Sequence, residues 1–87
     1  MYVIAHLYAV KNDILIDFGL AIKKLRNEME LSQEDLAEKT GFHRTYIGFI
    51  ERGERNLSLK NIEIFANTFN IKVSELMKVC ENIKSSK

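Results

Sequence analysis

The sequence predicts an all-α fold of five helices, on three observations. Apolar residues recur at three- and four-residue steps along most of the chain, the period of an amphipathic helix. No proline occurs in the 87 residues, so helix ends must be set by caps. Residues suited to capping, Ser32, Gly41, Gly53, Ser58, Asn70 and Ser74, fall at short-helix intervals. With 46% apolar and 29% charged residues the composition is that of one folded domain. So short a chain buries only a modest core.

Leu15, Phe18, Ile22, Leu25 and Met29 form one face of a first helix at about 12–30, with Asn12 or Asp17 as its N-cap. Residues 1–11 are an N-terminal extension. There Tyr2, Ile4, His6, Tyr8 and Val10 alternate with Val3, Ala5, Leu7 and Ala9, a pattern open to a short strand, an ordered arm or a loose end. Ser32 with Asp35 three residues on resembles a capping box and starts a second helix over 33–40, which Gly41 ends. A third helix runs from His43 or Arg44 to Arg52, with Tyr46, Ile47 and Ile50 at helical spacing. Two short helices joined by a glycine-containing turn are the signature of a helix-turn-helix. Ser58 caps a fourth helix carrying Ile62, Phe65, Ala66 and Phe69, and Asn70 closes it. Ser74 and Glu75 begin a fifth, which ends at 84 and leaves 85–87 to fray. The folded domain is thus 12–84.

Several functions are excluded at this stage. The uncharged stretch at 1–10 is too short to span a bilayer and has no basic region before it, so no membrane segment or signal peptide is expected. Cys80 has no second cysteine to pair with, which fits a reducing cytoplasm. One cysteine and two histidines, His6 and His43, fall short of a zinc site. Gly48 and Gly53 have the glycine spacing of a phosphate loop, but Glu54 and Arg55 follow where lysine and a hydroxyl residue are needed. Neither an enzyme, a cofactor nor a small-molecule ligand is expected.

The charge is polarised. Formal net charge is only +1, yet three of the four arginines, Arg44, Arg52 and Arg55, fall close together, and with Lys60 they outnumber Glu51 and Glu54 by two. The blocks from Phe18 to Arg26, Ser32 to Ala37, Tyr46 to Gly53 and Val73 to Met77 resemble the Cro and lambda-repressor type of helix-turn-helix DNA-binding domain. His43 to Ile47, followed by Ile50 to Ser58, is most similar to the controller proteins of restriction-modification systems. The resemblance implies a five-helix lambda-repressor-like domain, with the third helix in the major groove of double-stranded DNA. It also implies that Arg26 and Glu51 form an ion pair bracing the first helix against the third.

A recognition helix reads base edges from its N-terminal turn and holds phosphates with its flanks. His43, Arg44, Thr45, Tyr46 and Phe49 are the base-reading candidates, Arg44 being suited to guanine O6 and N7, and Phe49 to thymine methyls. Gly48 is unusual inside so short a helix and leaves room either for DNA or for a neighbouring side chain. Gln33, at the start of the second helix, and Arg52, Arg55, Asn56, Ser58, Lys60 and Asn61 are the phosphate-binding candidates. Ile71, Val73, Leu76, Met77, Val79, Cys80 and Ile83 crowd the last helix beyond what one small core covers, and are expected to form a homodimer interface. The expected function is a transcriptional regulator that binds an inverted-repeat operator at its own promoter. The alternatives are a phage-like or chromosomal repressor, and an antitoxin-type module acting through a protein partner.

Overall fold

The computed structural model describes residues 2–84, with side chains from Ile14 to Ile83. Five helices follow in order: α1 (Tyr2–Glu28), α2 (Gln33–Thr40), α3 (Arg44–Glu51), α4 (Leu59–Thr68) and α5 (Val73–Lys84), with no strand among the described residues. Residues 85–87, expected to fray, lie outside the described residues.

The first helix starts at Tyr2 rather than near residue 12. Nothing in residues 2–18 stops a helix, since neither proline nor glycine occurs there, and Ile4, Leu7, Ile14 and Phe18 fit helical steps as well as alternation. Asn12 and Asp17 therefore sit inside α1. Asp17, instead of capping, is buried at 1% exposure.

The other boundaries follow from capping. Ser32 Oγ accepts from the Asp35 N–H, and the Asp35 carboxylate accepts from the Ser32 N–H, each at 3.0 Å. The hydrogen bond from the Ser32 backbone holds the Asp35 carboxyl below the usual carboxylate range. Gly41 closes α2 at φ 85°, its N–H donating to the Ala37 carbonyl at 2.8 Å. Ser58 Oγ caps α4 by accepting from Asn61 N–H. Helices α1, α3 and α4 end alike, with Glu30, Gly53 and Asn70 in the left-handed region. In each case the following residue's N–H reaches back five residues, as Leu31 does to Arg26, Glu54 to Phe49 and Ile71 to Ala66. This is the Schellman arrangement, which satisfies carbonyls the helix leaves open.

Phe18, Ala21 and Ile22 of α1, Leu36 and Ala37 of α2, Ile47 and Ile50 of α3, Phe65 and Ala66 of α4 with Phe69 at its cap, and Leu76 and Cys80 of α5 make the core. Phe65 stands at its centre, edge-on to Phe18 at 6.4 Å and tilted against Phe42 at 5.3 Å between ring centroids. Two residues assigned from sequence to a dimer interface, Leu76 and Cys80, are instead buried within the single chain. The reason is tertiary: α5 is flanked by both α1 and α4, so one chain covers more of its apolar surface than one neighbour would. Ile71, Met77, Val79 and Ile83 are half-buried against the same core. Burial pushes the Cys80 thiol pKa up, with a smaller push from the nearby Asp17 carboxylate, so the thiol is held in its unreactive form.

Candidate nucleic-acid interface

The exposed face of α3 begins at its cap. His43 Nδ1 accepts from the Thr45 N–H at 3.1 Å, so this side chain caps the helix, while Arg44 and Thr45 project from its first turn. Ile47 and Ile50 point the other way, into the core. The sequence thus divides α3 into an apolar inner face and a polar outer one, as an eight-residue helix docked on a core requires.

Arg44 Nε lies 3.4 Å from a Glu34 carboxylate oxygen, with both side chains more than half exposed. Arg52 Nε donates to Glu54 Oε1 at 3.2 Å. Sequence reasoning counted Glu54 in the charge balance but paired neither acid with its arginine. The Arg52–Glu54 pair was accessible from its two-residue spacing, whereas Glu34 reaches Arg44 only because α2 packs on α3. Exposed pairs of this kind contribute about 0–1 kcal/mol, so a phosphate or a base edge can displace either acid.

Tyr46 serves two neighbours. Its ring stands edge-on to Phe42 at 4.9 Å, and its hydroxyl accepts from Asn61 Nδ2 at 3.0 Å. The bond ties α3 to the start of α4 and places Asn61, a phosphate candidate, beside the recognition helix. Phe49 is half-buried, and the guanidinium carbons of Arg52 and Arg55 lie 5.3 and 5.1 Å from its ring centroid. Gly48 is buried, and a Cβ there would stand 3.1 Å from an Arg52 guanidinium nitrogen. The side chain nearest to that space is thus the Arg52 guanidinium. Asn56, Ser58 and Lys60 are exposed on the segment that leaves α3 and begins α4.

The helix is braced from behind. Arg26 Nε donates to Glu51 Oε2 at 2.6 Å and Arg26 Nη2 to Glu51 Oε1 at 3.0 Å, while Nη1 donates to the Leu31 carbonyl at 2.8 Å. Both residues are buried. The carboxylate hydrogen bond pushes the Arg26 pKa further up, against the opposing pull of burial. Gln33, at the first position of α2, donates its amide to Glu51 Oε1 at 3.0 Å. Its side chain is therefore oriented by the ion pair, with one amide hydrogen left for an outside acceptor.

Among the described residues no group of three or more His, Cys, Asp or Glu side chains is placed to hold a metal, and no helix is long and apolar enough to cross a membrane.

Against known proteins, the helix-turn-helix family matches residues 22–76. The control protein C.MunI of a Mycoplasma species is 46% identical over 71 residues, covering 80% of this chain and 96% of that protein. The crystal structure of the restriction-modification controller protein C.AhdI from Aeromonas hydrophila superposes with a TM-score of 0.68 at 45% identity, over 71% of this chain and 94% of that one. The controller protein C.Esp1396I, solved as a tetramer in complex with its natural 35 base-pair operator, superposes with a TM-score of 0.75 at 34% identity, over 82% and 93% of the two chains.

Proposed function

This chain belongs to the helix-turn-helix family and, within it, to the restriction-modification controller proteins, and from that membership we propose that it regulates its own promoter by binding inverted-repeat operator DNA as a homodimer. It is a DNA-binding regulator of transcription and not an enzyme. A cytoplasmic location goes with that role.

The observation that carries the reading is the outer face of α3. Arg44 and Thr45 project from the first turn of a helix locked to α1 by the Arg26–Glu51 pair, Arg52 ends that helix, and Arg55, Asn56 and Ser58 of the following segment, with Lys60 and Asn61 of α4, lie beyond it. A rigid helix with base-reaching side chains at its start and cations at its flanks suits the major groove. His43 takes the helix-cap role and contributes its other ring nitrogen to this surface.

The two kinds of contact predict two kinds of variant. Arg44→Ala is expected to reduce discrimination at one guanine position by about 1–3 kcal/mol, whereas Lys60→Ala weakens all sequences alike and lowers the salt slope by about one. Electrophoretic mobility shifts over a panel of single-base operator variants, repeated at several salt concentrations, separate them. Unchanged relative affinities for Arg44→Ala would remove it from base reading.

For the dimer, the support is an apolar groove at the N-terminal end of α4. Leu59 is 77% exposed, more than any other large apolar side chain among the described residues, and it lines this groove with Val73, Lys60 and Glu63. A second copy related by a two-fold axis covers Leu59 and Val73, apolar against apolar, as a self-complementary interface requires, and leaves the Lys60 ammonium at the rim, free to meet phosphate. Of the α5 residues expected at the interface, Val73 lines this groove. Two-fold pairing sets the recognition helices one DNA turn apart, roughly 34 Å. Sedimentation equilibrium at micromolar concentration should give a dimer for the wild type and a monomer for Leu59→Glu. A monomeric wild type that remains monomeric on a single palindromic site would overturn the dimer.

A further inference from the structure

The unusual pair Gly48 and Phe49 gathers two cations around one aromatic ring. Arg52 and Arg55 both place their guanidinium carbons within 5.3 Å of the Phe49 ring centroid, a separation at which the negative face of a ring attracts a cation. Gly48 contributes by what it lacks, since a side chain there would stand against the Arg52 guanidinium. Glu54 adds a hydrogen bond to Arg52 Nε from the solvent side. Two guanidinium groups and one carboxylate around one ring leave a net positive charge of one. Gathering like charges is uphill in itself, so the arrangement is complementary to an incoming anion. Guanidinium groups meet phosphate oxygens with paired hydrogen bonds, and a group already held in place loses less freedom on making them.

We propose that Phe49 is a positioning residue, which holds Arg52 and Arg55 as a preformed guanidinium pair for the DNA backbone rather than reading a base through its own ring. The proposal rests on the DNA-binding reading above and specifies which part of the α3 surface meets phosphate. It also accounts for an apolar aromatic residue on the outer face of a helix whose other exposed side chains are polar.

The test compares wild type, Phe49→Leu, Phe49→Tyr, Arg52→Ala/Arg55→Ala and the triple variant that adds Phe49→Leu to that double. Affinity is measured for a set of random-sequence DNA duplexes a few helical turns long. Phe49→Leu is expected to weaken every duplex alike, by about fivefold or more, and Phe49→Tyr, which keeps the ring, restores binding. In the triple variant the leucine costs nothing beyond the loss of the two arginines, because the ring acts only through them. In wild-type protein without DNA, the NMR signals of the Arg52 and Arg55 side chains near the guanidinium are expected upfield of their usual positions, through the ring current of Phe49. That measurement stands even if Phe49→Leu fails to fold. Ordinary arginine shifts in the folded wild type, unchanged affinity in a folded Phe49→Leu, or a loss confined to particular base sequences would each overturn the proposal. Wild-type protein that binds no duplex would overturn the DNA-binding reading itself and this inference with it, and that outcome is read before any variant is compared.

Discussion

Glu51→Ala is expected to destabilise the fold by about 3–5 kcal/mol, the range found when one partner of a buried ion pair is removed. For a domain of this size the melting temperature should fall by roughly 15 °C or more. Most of that loss comes from what remains. Arg26 is buried and would keep its hydrogen bond to the Leu31 carbonyl, but two of its donors, Nε and Nη2, would face an empty space left by the carboxylate. A double variant, Arg26→Met/Glu51→Leu, removes both charges and fills the volume with apolar atoms, so it should recover most of the stability. Thermal melting of the three proteins decides the matter. If the double variant is as unstable as Glu51→Ala, the loss lies in helix positioning and not in the unpaired charge.

The same variant has a second readout, because Gln33 also donates to Glu51. Without the carboxylate, the Gln33 amide is no longer held at the start of α2. Affinity for all sequences should then weaken together, with discrimination among base variants retained. A change in base preference would place Glu51 on the reading side of α3.

Much of this architecture was legible because it is local. Ser32 with Asp35, Gly41, Ser58 and Asn70 mark helix ends through contacts spanning three to five residues, and such spacing is carried by sequence alone. The extension of α1 to Tyr2 was not legible, since its residues satisfy a period of two and a helical period together. The burial of Leu76 and Cys80 was misread for a different reason. Which helices flank α5 is decided by the whole bundle, and periodicity counts faces without saying what covers them. Arg26 and Glu51 are 25 residues apart, and only a family resemblance suggested that they meet. The stacking on Phe49 was hidden by the loop after α3, whose path brings Arg55 back to the helix. One signal was present and unused: Gly19, a glycine inside a strongly periodic helix, commonly marks a close approach.

That approach yields the second large effect expected. Gly19→Ala should cost at least about 2 kcal/mol, although alanine is the better helix former by about 1 kcal/mol at an interior position. A Cβ on Gly19 would lie 2.3 Å from the Ile50 carbonyl oxygen and 2.8 Å from that of Glu51. These are backbone atoms of the last turn of α3, so no side-chain rotation relieves the contact. Gly53 meets the same helix one turn earlier, where its own Cβ would stand 2.9 Å from Ile16 Cα. Helices α1 and α3 therefore touch backbone to backbone, and an added methyl must push them apart. The Arg26–Glu51 pair joins the same two helices two turns further along α1, and the displacement would stretch its hydrogen bonds. Gly19→Ala and Glu51→Ala should consequently be less than additive, with the double variant less destabilised than the sum of the singles by about 0.5–3 kcal/mol. Chemical denaturation of the four proteins in the cycle measures both quantities. A Gly19→Ala protein as stable as wild type would mean that the two helices can separate without cost, and the brace behind the recognition helix would then rest on the ion pair alone.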